Sequence, residues 1–151
     1  MAKFVYKMQS LLNIKEKLEE QEKTAYGMAK AALMEEESKL AQMVAKKNRY
    51  IEEKRAGMSD VLHVHELTQL EHAIKSMEYR IAEQVILVKR AEKNVAIAQT
   101  RLEHAMKERK IQEKLKEHAL EQFKQEMEAA EQQEINELVT FRFKKAKERE
   151  E

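Results

Sequence analysis

The chain has 151 residues, with 29 basic and 28 acidic side chains for a formal net charge of +1, no Pro, two Gly, no Cys and no Trp. A composition that is 38% charged and 5% aromatic belongs to long helices. It excludes an interior thick enough to enclose a substrate and a global field that would steer the chain to nucleic acid.

The first predicted helix covers about 4–56, and its apolar residues fall in two phases. Phe4, Met8, Leu11 and Leu18 form one stripe, and Tyr26, Ala29, Leu33, Leu40 and Met43 form another displaced by one residue, which predicts a stutter between Glu22 and Tyr26. Gly27 beside it either permits close helix approach or softens the helix by about 1 kcal/mol relative to Ala. The run Glu35, Glu36, Glu37 has no convergent partner for acid–base chemistry and reads as a solvated face. A turn is expected at 57–60, where Gly57 offers a C-terminal stop and Ser59 and Asp60 offer helix N-caps.

The second helix is predicted over about 60–145 and carries the strongest pattern in the chain. Leu67, Ile74, Ile81, Val88, Val95 and Leu102 recur every seven residues, and Leu70, Met77, Gln84, Ala91, Ala98 and Ala105 form a second row three residues on. Two such rows are the a and d positions of a coiled coil. The predicted fold is therefore all-α: two long helices in an antiparallel coiled-coil hairpin, the second longer and overhanging, in a single rod of residues 1–151. Folding back at 57–60 places Tyr50 near Leu67, Met43 near Ile74, Leu40 near Met77 and Leu33 near Gln84. A parallel homodimer without a turn is the alternative. Gln84 at a d position weakens the seam locally but fixes its register.

Several features lie outside the seam. Tyr79 and Ile86 occupy the f position that faces water, and Leu87 adjoins them, so this exposed apolar patch fits a heterologous partner, self-association or plain exposure. Residues 114–151 have no partner in the hairpin, yet carry Leu115, Ala119, Phe123 and Met127, then Ile135, Leu138 and Val139. They read either as a frayed tail or as a helix that another protein covers. Residues 89–116 hold nine basic and four acidic side chains, residues 121–137 hold six Glu and one Lys, and residues 142–147 are basic again, which suggests sequential partner surfaces. Cations interleave with aromatics only around Phe141 and Phe143, too short a stretch for nucleic acid and a weak fit to a membrane surface.

Nothing points to catalysis, a cofactor or a metal. His63 and His65 are two apart and point to different sides of a helix, His72, His104 and His118 are further spaced, and there is no glycine-rich phosphate loop, GxSxG or zinc spacing. No apolar run approaches the roughly 20 residues that span a bilayer, and residues 1–12 do not resemble a signal peptide. A cytoplasmic location is expected, which the absence of Cys suits.

The opening residues Met1-Ala2-Lys3-Phe4-Val5-Tyr6-Lys7-Met8, followed by Leu11-Leu12, Lys15 and Lys17-Leu18-Glu19-Glu20-Gln21, closely resemble the start of the flagellar export protein FliJ family, especially its clostridial-type members. The likeness continues through Met77 to Gln84 and from Glu108-Arg109-Lys110 to Phe123-Lys124. The resemblance implies a non-enzymatic part of flagellar type III secretion, active in flagellum biogenesis and motility, with a hairpin like the central stalk of rotary ATPases. It implies a rod that engages and stimulates the hexameric export ATPase FliI with its regulator FliH, contacts the cytoplasmic domain of the export gate FlhA, and escorts substrate chaperones. Such a protein would be peripheral to the inner face of the cell membrane.

By alignment with that family, the gate contact falls at Lys39, Met43, Lys46, Tyr50, Ala73, Met77, Arg80 and Gln84. Lys46 and Ala73 stand where relatives carry aromatics. By the stalk analogy and the apolar overhang, the ATPase contact is expected at Phe4, Met8, Leu115, Phe123 and Met127. A scaffold coiled coil that self-associates without an ATPase is the alternative reading.

Overall fold

The computed structural model describes residues 2–58 and 64–150. They form two helices, α1 (Gln9–Met58) of 50 residues and α2 (Val64–Glu150) of 87 residues. Helix of this length needs a sequence without Pro and with good helix formers throughout, and it gains a few tenths of a kcal/mol, roughly, from each pair such as Glu19–Lys23 and Glu35–Lys39 one turn apart.

The helix ends depart from expectation. Residues 2–6 are outside α1, which starts where the Gln9 N–H donates to the Tyr6 carbonyl at 3.2 Å and the Leu12 N–H to that of Met8 at 3.1 Å. The non-helical lead brings Phe4 and Tyr6 against α2. Gly57 and Met58 remain within α1 and no described Gly has positive φ, so Gly57 is not the left-handed stop expected of it. The expected caps Ser59 and Asp60, with His63, lie outside the described residues. α2 runs past the expected 145 to Glu150, and Lys147 and Arg149 suit the negative end of its dipole.

The chain divides into two compact units. One is Glu19–Ala105, in which both predicted rows of α2 form the packed face: Met77, Gln84, Val88, Ala91, Ala98 and Ala105 are buried, and Leu67, Leu70, Ile74, Ile81, Val95 and Leu102 are half-buried. The helices run antiparallel. Lys54 Nζ lies 3.2 Å from Glu71, Lys47 Nζ lies 3.4 Å from Glu78, and Gln84 Nε2 donates to the Glu36 carbonyl at 3.0 Å and to the Glu36 carboxylate. Gln84 thus faces Glu36 and not Leu33, a register three residues from the expected one. A buried amide without acceptors would cost about 1–3 kcal/mol, and in this register Glu36 supplies both its carbonyl and its carboxylate.

Tracing the α1 row back from Tyr26 by alternate steps of four and three gives Glu22, Glu19, Lys15 and Leu12, all at least half-buried, while Leu18 and Met8 are exposed. The seven-residue phase is therefore unbroken and the predicted stutter is absent. The row merely turns polar, as long charged side chains can when their stems pack and their heads reach water. Around Gly27 a methyl group would meet nothing within 4 Å. That excludes close helix approach, so Gly27→Ala is expected to stabilise the chain by about 1 kcal/mol and raise the melting temperature by about 2–4 °C. Thermal unfolding followed by circular dichroism measures this.

The second unit joins residues 2–18 to 106–150. Leu12 is 3% exposed, Lys15 Nζ lies 2.7 Å from Glu108, the Tyr6 hydroxyl donates to Gln112 Oε1 at 3.4 Å, and the rings of Phe4 and Phe123 stand 5.5 Å apart at 52°. On α2 the half-buried row continues through Gln112, Lys116, Ala119, Phe123 and Met127. The overhang expected from 114 therefore begins only after Met127, because the N-terminal lead covers α2 to Phe123. Every residue from 128 to 150 is exposed, about 35 Å of helix.

Candidate interaction surfaces

One groove in the Glu19–Ala105 unit gathers five of the eight residues assigned to a partner contact. Lys39, Met43 and Lys46 of α1 and Met77 and Arg80 of α2 line it, joined by Gln42. Heptad geometry makes this possible: Met43 and Met77 are half-buried and buried residues of the seam, and the exposed Lys39, Lys46 and Arg80 join them in the lining. Lys39 is held towards Glu35 at 3.6 Å and Glu36 at 3.9 Å. Polarizable thioethers under a basic rim suit an adaptable protein contact with an acidic partner.

Three assigned residues stand elsewhere. Tyr50 and Ala73 are half-buried along the seam outside the groove. Gln84 is 4% exposed and committed to Glu36, so its amide belongs to the packing. Gln42 was not singled out by sequence; it lies one turn before Lys46 on the same face, and that spacing was its only signal.

In the other unit, Phe4 and Phe123 occupy each other, whereas Met8 and Leu115 are exposed and Met127 is half-buried. A second groove there, lined by Leu12, Glu16, Glu113, Lys116, Glu117 and Leu120, is largely charged and had no sequence signal of its own. Beyond it the exposed helix presents Ile135, Leu138, Val139, Phe141 and Phe143 to solvent, with Lys145 Nζ 5.9 Å from the Phe141 ring centre. On the outer face of α2, Tyr79 is 77% and Ile86 61% exposed, and Leu87 is exposed beside them.

Among the described residues no three His, Asp or Glu side chains converge on a metal-sized site, and no helix is long and apolar enough to cross a membrane. Both grooves are open clefts between two helices. A long antiparallel hairpin with such clefts and a bare helical end defines a helical interaction protein, one that works through surfaces. The chain belongs to the flagellar FliJ family: the family profile, described as Flagellar FliJ protein, matches residues 4–148. It is thus a component of flagellar type III export, and the family is a non-enzymatic one. Comparison with curated proteins yields no match. Among solved structures the chain is similar to one described as a YscO homologue, CT670 from Chlamydia trachomatis, at 21% identity over 89% of this chain and 90% of that chain, with a TM-score of 0.50. At that identity the likeness concerns the fold.

Proposed function

We propose that the chain is a stalk-like adaptor of the export apparatus. It binds and stimulates the export ATPase ring FliI, alongside FliH, through its exposed helical end, contacts the cytoplasmic domain of the gate protein FlhA through the methionine groove, and escorts substrate chaperones. It acts at the cytoplasmic face of the membrane, held there by its partners. The observation that carries the reading is the stretch 128–150, patterned with apolar residues yet covered by none of the described residues. A helix of that kind is costly to leave in water without a partner. Met8, Leu115 and Met127 extend that surface towards the ring, while Phe4 and Phe123 support it by fixing the N-terminal lead. Mixing the purified chain with its cognate export ATPase and measuring hydrolysis and hexamer formation tests the proposal.

For the gate contact, Lys46 and Arg80 are the residues to change, because both are exposed on the groove rim whereas Met77 is packed. Lys46→Glu with Arg80→Glu is expected to weaken binding to the gate domain by at least about tenfold, some 1.4 kcal/mol. Helix content and ATPase stimulation should persist. Normal gate binding by the folded variant, measured by titration calorimetry, would place the gate contact elsewhere.

A further inference from the structure

The outer row of α2 contains two stretches that complement each other. Tyr79, Ile86, Lys93 and Thr100 recur every seven residues on the face away from α1, and Glu121, Glu128, Ile135 and Arg142 continue the same spacing towards the C-terminus; all eight are exposed. Laid antiparallel, Tyr79 meets Arg142, Ile86 meets Ile135, Lys93 meets Glu128 and Thr100 meets Glu121. Beside the row, Arg90 falls opposite Glu131 and Ala82 opposite Val139.

We propose that the outer face of α2 around Tyr79, Ile86 and Lys93 is the docking surface for residues 121–142 of a second copy of this chain, paired antiparallel. Two exposed apolar patches are removed from water in one contact, with Ile86 and Ile135 at its centre. The surrounding charges choose the occupant and its direction. The receiving face is basic where the incoming segment is acidic, and an arginine reaches the Tyr79 ring at the far end. A parallel arrangement would set Lys93 opposite Arg142 and lose the Lys93–Glu128 pair. Such a contact between copies of the chain is separate from its export role. Any other partner of residues 128–142 would compete with the second copy.

The native chain has no Cys, which makes the register directly testable. Oxidising a mixture of the Ile86→Cys chain and the Ile135→Cys chain is expected to give a disulfide-linked species of about twice 17.8 kDa, with neither chain alone linking comparably. Sedimentation of the intact protein over a concentration series should show assembly that weakens as salt rises. Lys93→Glu and Glu128→Lys should each reduce the assembly, and the two together in one chain should restore it. Circular dichroism checks that these exposed substitutions leave the helices intact. A protein that stays at 17.8 kDa throughout, or links Ile86→Cys to itself in preference to Ile135→Cys, would overturn the proposal.

Discussion

A chain ending at Met127 is expected to lose stimulation of the export ATPase while keeping its fold. Residues 128–150 are all exposed, so none of the described residues removed is buried. What remains includes every buried position among the described residues, from Leu12 to Ala105, and the ring contact of Phe4 with Phe123. The melting temperature should therefore move by no more than about 2 °C, since substitutions away from packed features rarely exceed about 0.5 kcal/mol. Gate binding should also survive, because Lys46 and Arg80 stand in the other unit. Hydrolysis assays with intact and shortened chains distinguish the outcomes. Full stimulation by the shortened chain would move the ATPase contact back to Met8, Leu115 and Met127.

The seam was legible because apolar residues keep a seven-residue period there, broken only at Gln84, and a stripe of that period can only be a helix packed along its length. Six of its twelve α2 positions are buried and the others half-buried. Its continuation was illegible for a chemical reason. Lys15, Glu19 and Glu22 hold the same phase, but charged residues read as solvated, so Leu11 and Leu18 suggest a stutter that is absent. Glu19 is 5% exposed all the same. The spacing of four and three, followed regardless of polarity, would have found it.

The reach of the N-terminus was hidden for a different reason. An irregular segment has no periodicity, so nothing announces that Phe4 will find Phe123 or that Tyr6 will meet Gln112. The apolar rows alone therefore place the start of the overhang at 114, whereas in the structure it starts at 128. For the groove, the family alignment supplied the positions and the structure brings five of them together. It removes Gln84 because a buried amide must be satisfied, and Glu36 is where both of its hydrogen bonds go.

Stability and register should respond differently to the two seam residues Met77 and Gln84. Met77 is 5% exposed and is one of few large side chains in a core otherwise supplied by Ala91, Ala98 and Ala105. Met77→Ala is expected to destabilise the chain by about 2–5 kcal/mol, towards the lower end because water in the adjoining groove can enter the space left. That corresponds to a fall of roughly 4–20 °C in melting temperature. Gln84→Leu should cost far less. It adds apolar contact in the seam, and the Glu36 side chain, 25% exposed, can turn to water when its partner goes. What it removes is the feature that penalises other alignments of α1 on α2, since a leucine packs against Leu33 as readily as against the stem of Glu36. Spin labels at Gln42 and Arg80, one on each helix and both lining the groove, read this out. In the native chain they should give one narrow distance distribution, and in Gln84→Leu a broadened or second one at nearly unchanged melting temperature. A large thermal loss with a single narrow distance would instead assign the Glu36–Gln84 pair to stability and leave the register to the ion pairs at Lys47 and Lys54.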